Sequence, residues 1–345
     1  MSGFAEKMRQ TWEQNILFSV LLELTYRCNL NCVFCYNEKN PQEKPIGRER
    51  YLKLFQELKS MGVFNLIFSG GEPLAHRDFF FLGRQAREMG FVIRIKSNGH
   101  ALHQATARRL KEELDPFIIE ISIHGACAET HDRQTRVQGS FDQLMQNLHI
   151  LRAHKLRFQL NSVLTCWNEN ELTAMQRLAR KFAAPLKFDS QITPRDNGDP
   201  SPLALAPSEQ GLRHLLQIQL QSAPQGQGNT PSTRNYCGAG ASTIAIDPAG
   251  NVYPCVQWRQ AIGNVQNQNI REIWQDNAAL ADIRKSNEQA RKNMLALGEK
   301  AAFGSFCPGM ADLVGGNAST IYPSVHLRSK LRGEILNSTD RPKVR

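Results

Sequence analysis

No apolar run in this chain is long enough to cross a bilayer. The best stretch, Ile16 to Leu24, is short and is broken by Ser19 and Glu23, whereas a spanning helix needs about 20 apolar residues. No basic segment followed by a small-residue cleavage site opens the sequence, so a secretion signal of the usual kind is missing as well. With a mean hydropathy of −0.42, these absences point to a soluble cytoplasmic protein with no membrane partner. Acidic residues are the minority, 32 against 42 Lys and Arg, for a net charge of +10. A solvated basic surface accounts for that excess, which would also suit an acidic partner such as a peptide; a nucleic-acid partner is not expected. No internal repeat is visible.

What the chain does have is thiols. Eight cysteines without a secretion signal indicate metal ligation or catalysis rather than disulfides. Three of them, Cys28, Cys32 and Cys35, fall in the run TYRCNLNCVFCYN. Three thiolates can hold an iron-sulfur cube by three irons and leave the fourth iron free for a small chelating ligand. A closed zinc site would want a fourth ligand, and no other His or Cys lies nearby in sequence.

This spacing, with the aromatic Phe34 just before the last cysteine, resembles the signature of the radical S-adenosylmethionine (radical SAM) family. A second family motif follows the apolar run FNLIF, at Ser69-Gly70-Gly71-Glu72-Pro73. The resemblance implies a 4Fe-4S cluster whose open iron is chelated by the amino and carboxylate groups of SAM. One electron from the reduced cluster then splits a sulfonium bond to give a 5′-deoxyadenosyl radical, the cofactor carrying the hard step. A flavodoxin- or ferredoxin-type protein would supply the electron.

At 345 residues, two domains are expected. Six branched apolar runs read as strands: Leu17 to Leu24, Phe64 to Phe68, Val92 to Lys96, Phe117 to Ile123, Arg157 to Leu164 and Leu186 to Phe188. Helix-period segments lie between them, the clearest from Phe141 to Lys155 behind a Ser140 cap. Such alternation implies parallel pairing through right-handed crossovers, with too few units to close an eight-stranded barrel. The expected fold is α/β, an open barrel that resembles the partial (β/α)6 barrel of radical SAM enzymes, followed by a small α+β domain. Its expected parts are an extension at 1–15, the barrel at 16–192, a linker with one helix (Ser208 to Gln221) at 193–235, the auxiliary domain at 236–325, and a basic tail at 326–345.

In parallel α/β barrels, chemistry collects at the C-terminal ends of the strands. The family likeness places Gly70 and Gly71 close to the methionine amino group, where a missing side chain permits backbone approach, with Glu72 either beside it or structural. Ser97, Asn98, Ser122 and His124 are further candidates for polar contacts to SAM. In HDRQTRVQGSF, Arg136 is the candidate partner of the SAM carboxylate.

A second cysteine group begins at CGAGASTIAIDPAGNVYPC, with Cys237 and Cys255 and a hairpin turning at AGN. It resembles the opening of SPASM and twitch extensions through Gly263-Asn264-Val265 and Glu272-Ile273-Trp274. Beyond Trp274 only Cys307 remains, with Gly304 where a CxxC partner would stand, which excludes two full auxiliary clusters. One auxiliary 4Fe-4S cluster on Cys237, Cys255 and Cys307 is the reading carried forward. Its fourth ligand is open among Cys127, Cys166, a non-cysteine side chain and the substrate. Cys127 and Cys166 follow predicted strands, so they are either small buried hydrophobes or hydrogen-atom donors to a substrate radical.

Relatives of this shape imply modification of a ribosomally made peptide or a protein side chain by crosslinking, oxidation or epimerisation. Sixteen residues before strand one leave no room for a leader-binding domain, so a separate recognition protein is expected unless the cavity captures the peptide directly. The alternatives are dehydrogenation or rearrangement of a small molecule, and a non-catalytic electron-transfer or scaffold protein.

Overall fold

The computed structural model describes residues 3–37, 44–222, 236–298 and 306–337. The expected linker after residue 222, Gly304 and the end of the basic tail lie outside these residues.

The six apolar runs form β1 (Ser19–Thr25), β2 (Asn65–Gly70), β3 (Val92–Ser97), β4 (Ile118–Ser122), β5 (Phe158–Val163) and β6 (Leu186–Asp189). They pair in parallel in chain order. Helices such as Arg48–Ser60, Phe79–Glu88, Ser140–Ala153 and Leu172–Lys181 carry the chain back between strands. The helix-covered face of the sheet is apolar, with Leu22, Phe68, Ile95, Ile121 and Leu160 buried there, while Lys96, Glu120 and Asn161 on the other face line a cavity. The sheet stops at β6, short of closure.

Past the linker helix Glu209–Ser222, the chain adds β7 (Thr243–Ile246), β8 (Asn251–Tyr253) and β9 (Gly263–Asn264). Strand β7 pairs in parallel with β1 on the side away from β2, and β8 and β9 continue antiparallel. Among the described residues the result is one sheet in the order β6-β5-β4-β3-β2-β1-β7-β8-β9. Ile244, Val252 and Trp258 consequently share the core that holds Leu22 and Phe68. The expected AGN hairpin is present. Asp247 accepts from the N–H groups of Ala249 and Asn251, and Gly250 takes the positive φ, +89°, that the turn requires. A second small core gathers Met294, Phe306, Met310, Tyr322 and Val325 around the Cys307 segment.

One local expectation is corrected. Ser140 does not cap the helix it opens; it is the first helical residue after Gly139, which sits in the left-handed region. The cap comes from Asp132 in the preceding helix, Ala128–Thr135. Its carboxylate accepts from the Gly139 N–H at 2.6 Å, the Phe141 N–H at 2.8 Å and the Ser140 hydroxyl at 2.8 Å. A carboxylate can satisfy several helix-start donors at once and is favoured by the helix dipole, which a serine hydroxyl is not.

Candidate functional site

The loop leaving β1 carries Cys28, Cys32 and Cys35, and backbone contacts set its path. Asn31 and Val33 donate to the carbonyls of Thr135 and Gln134, each at 3.0 Å. Arg195, from a segment with no recognisable motif, donates to the Cys35 carbonyl at 2.9 Å. The Asn37 carboxamide donates to the Gly70 carbonyl at 3.0 Å. Asn98 reaches the same loop, donating to Asn29 at 2.8 Å and to the Cys28 sulfur at 3.6 Å.

Gly70 and Gly71 lie against the exit of β1. A Cβ at Gly70, where φ is +127°, would come within 2.3 Å of the Thr25 carbonyl oxygen; one at Gly71 would come within 2.5 Å of that of Arg27. Only glycine permits this approach. Next to them Glu72 is buried and turned away from the cavity, accepting from the Ser97 hydroxyl at 3.0 Å, the Asn98 N–H at 2.9 Å and the Leu74 N–H at 3.2 Å. Burial pushes its carboxyl up to about 7 against the pull of these donors. Glu72 therefore orients Ser97 and Asn98.

Cys28, Cys32, Cys35, Phe34, Gly70, Gly71, Ser97, Asn98, Ser122 and His124 all line one cavity of about 590 Å³, a volume typical of small-molecule sites. The His124 ring packs edge-on against Phe34 at 4.6 Å between centroids. Burial lowers its pKa to about 3, and its Nδ1 is closed off from solvent with no hydrogen-bond partner among the described residues. The ring therefore lines the cavity as a neutral imidazole.

The segment HDRQTRVQGSF makes contacts of its own. His131 accepts from the His124 N–H at 3.1 Å, Gln134 donates to the His124 carbonyl, and Asp132 caps the next helix. Arg133 lies over the Trp167 ring at 3.9 Å. Arg136 ends its helix in the left-handed region, is exposed and does not line the cavity. The segment braces β4 and the cysteine loop from behind. Cys127 and Cys166 do not line the cavity either. Cys127 is exposed beside Thr130 and Glu171, and Cys166 is half-buried with its N–H bonded to the Leu205 carbonyl.

Cys237, Cys255 and Cys307, distant in sequence, are brought together. Burial, and after it the charges of Cys307 and Cys255, pushes the Cys237 thiol up to about 12; burial likewise pushes Cys307 up to about 11 and raises Cys255. Buried thiols that repel one another's charge suit a cationic metal group, which would replace their protons. The Cys307 thiol donates to the Gln257 carboxamide oxygen at 3.6 Å. Gln257 and Val256 line the cavity, so this trio borders the same space as the first.

None of the eight cysteines is in a disulfide. Among the described residues no three His, Cys, Asp or Glu side chains are grouped closely enough to hold a single metal ion. The fit of each trio to an iron-sulfur cluster rests on its donor set, three thiols and nothing harder, and on the shared cavity.

The sequence matches the family model described as Radical SAM superfamily over residues 22–179, and that of the SPASM iron-sulfur cluster-binding domain over residues 237–295. It is similar to the AdoMet-dependent heme synthase of Methanosarcina barkeri, 28% identical over 296 residues, covering 77% of this chain and 84% of the relative. It is also similar to the mycofactocin maturase MftC of Mycobacterium tuberculosis, 29% identical over 282 residues, covering 76% and 71%. The fold matches that of native anSMEcpe with bound AdoMet and Cp18Cys peptide at a TM-score of 0.69 and 16% identity, covering 92% of this chain and 96% of the other. The chain carries a radical SAM domain and a C-terminal SPASM iron-sulfur domain, and its cofactors are a 4Fe-4S cluster, SAM and auxiliary iron-sulfur.

Proposed function

We propose that Cys28, Cys32 and Cys35 hold the SAM-binding 4Fe-4S cluster and that the enzyme removes hydrogen from a ribosomally made peptide or a protein side chain, leading to crosslinking, oxidation or epimerisation. When bound and reduced, cluster and SAM supply a 5′-deoxyadenosyl radical. The observation that carries the reading is the shared cavity: the first thiol trio lines it, and Val256 and Gln257 bring the edge of the second trio to it. A substrate there would lie between the two groups.

The chain's own residues position the reactants. Gly70 and Gly71 keep one wall bare of side chains, Ser97, Asn98 and Ser122 offer polar groups, and the neutral His124 ring packs beside Phe34 in the wall. Cys237, Cys255 and Cys307 hold one auxiliary 4Fe-4S cluster, with substrate or a non-cysteine side chain as the fourth ligand. The similarity to a mycofactocin maturase supports a peptide substrate, delivered by a separate leader-recognition protein or taken directly. The net charge of +10 suits an acidic flavodoxin- or ferredoxin-type donor. Among the described residues no helix is long and apolar enough to cross a membrane, in keeping with action in the cytoplasm. Residues 16–192 and 236–325 are the working barrel and auxiliary units.

Action on a small molecule is the second reading, favoured by the similarity to the AdoMet-dependent heme synthase. Anaerobic co-expression with short open reading frames encoded beside the gene, followed by mass spectrometry, separates the two. A change in peptide mass that requires Cys28 supports peptide modification. No change in any neighbouring peptide, together with turnover of a small molecule, overturns it.

A further inference from the structure

The end of β6, the outer strand of the sheet, presents two polar side chains to the cavity, Asp189 and Gln191. Gln191 is fixed. Its Oε1 accepts from Arg328 Nη1 at 3.0 Å and from the Tyr322 hydroxyl at 3.2 Å. An arginine can only donate, so the atom facing it must be the oxygen, and the amide orientation follows from the chemistry of the partner. The NH2 end then remains as donor, and no hydrogen bond occupies it among the described residues. Arg328 is itself buried and also donates to the Ser190 carbonyl at 3.3 Å. The carboxamide is therefore held by an anchored guanidinium and a phenol, and the phenol oxygen accepts in turn from the Cys307 N–H at 3.1 Å.

Asp189 stands beside it. The Gln191 N–H donates to its Oδ1 at 2.8 Å, and the side chain is exposed toward the cavity it lines. Its own charge is felt at Cys307. An anionic acceptor and a neutral donor thus sit two residues apart, next to the second thiol trio. In an antiparallel pair, one residue of an extended chain presents its N–H and C=O on the same side and exchanges both with its neighbour. Asp189 and Gln191 reproduce that acceptor and donor with side chains.

We propose that Asp189 and the Gln191 carboxamide form a main-chain clamp in which Asp189 accepts the N–H and Gln191 donates to the C=O of one extended residue of a peptide substrate, holding it at the β6 wall of the cavity. This rests on the peptide reading of the site. The clamp reads backbone and not side chains, so neighbouring walls set the identity of the modified residue.

The test uses full-length, cluster-loaded protein with SAM under anaerobic conditions. The probes are acetyl-trialanine N-methylamide and its depsipeptide analogue, in which an ester oxygen replaces the central N–H; affinities are measured by titration calorimetry or ligand-observed NMR. The variants are Asp189→Asn and Gln191→Glu, the latter keeping an acceptor for Arg328 and Tyr322 while removing the NH2 donor. Wild type should bind the amide about tenfold more tightly than the ester, since a hydrogen bond to a charged acceptor is at stake. Each variant should lose about tenfold for the amide, and the amide preference should shrink in Asp189→Asn, whose remaining carboxamide oxygen is an uncharged, weaker acceptor. Circular dichroism and cluster absorbance verify that the variants fold. Equal amide affinity in wild type and both folded variants overturns the clamp and leaves the peptide reading standing. Failure of wild type to bind either probe overturns the clamp and counts against the peptide reading as well.

Discussion

At the scale of single residues, Glu72 shows how a family motif can leave a residue's use open between two roles. GGEP stands out as a motif, but its carboxylate serves Ser97, Asn98 and Leu74 rather than the cavity. The folded carboxyl, raised to about 7 from an ordinary 4.5, binds its proton more tightly than the unfolded one. The stability it contributes is full below pH 4.5 and is lost as pH rises through about 7, on the order of 3 kcal/mol in all. Denaturant midpoints measured from pH 5 to 8 should fall for wild type; Glu72→Gln should flatten that slope and shift Asn98, weakening SAM binding. A wild-type slope kept in the variant would assign the titration elsewhere. Cys28, Cys32 and Cys35 are legible in the sequence because their spacing is local. Arg195, Asn37 and Gln191 are not, since each acts on a distant part of the chain and no short motif records such a contact. Arg136, the family-likeness candidate for the SAM carboxylate, is exposed at the left-handed end of its helix.

At the scale of elements, the six barrel strands were readable because one face of each carries branched apolar residues packed under the helices, Ile93 and Ile95 in β3 and Ile119 and Ile121 in β4, while polar residues such as Lys96, Glu120 and Asn161 face the cavity. Their order follows from strand-helix alternation. The parallel seating of β7 against β1 was not readable, because a four-residue strand carries no mark of its partner. Two close approaches between elements make predictions. A Cβ at Gly71 meets the Tyr26 and Arg27 carbonyl oxygens at 2.6 and 2.5 Å; one at Gly309 meets that of Gln257 at 2.4 Å. Gly71→Ala should push the cysteine loop away, costing more than about 1 kcal/mol of stability and lowering iron content at the first site. Gly309→Ala should instead separate the helix Pro308–Gly315 from the Gln257 turn and lower only the auxiliary loading. Iron and sulfide assays on reconstituted variants check both, and equal loss in the two variants would refute the division of the sites.

At the scale of the whole molecule, barrel and C-terminal segment are joined by more than a sheet. Glu23 on β1, fully buried, accepts from the Tyr36 hydroxyl at 2.9 Å, and Arg259 Nη1 lies 2.9 Å from its other oxygen. Arg259 also donates to Asp196 at 3.1 Å and lies over the Tyr253 ring at 4.9 Å. Tyr36 follows Cys35, and Arg259 lies four residues beyond Cys255, so this buried pair ties the two thiol segments together. Arg259→Leu strands the Glu23 charge and should cost about 3–5 kcal/mol; the double variant with Glu23→Leu should recover part of it. A double-mutant cycle by chemical denaturation reads the coupling, and additive losses would show the contact to be incidental. The central claim, that Cys28, Cys32 and Cys35 hold a cluster with an iron open to SAM, is tested most directly by electron paramagnetic resonance of anaerobically reduced protein with and without SAM. Expected is a SAM-dependent change in the cluster signal, accompanied by 5′-deoxyadenosine, that persists in a Cys237→Ala variant and disappears in Cys28→Ala. A spectrum that SAM leaves unchanged in cluster-loaded wild type would contradict it.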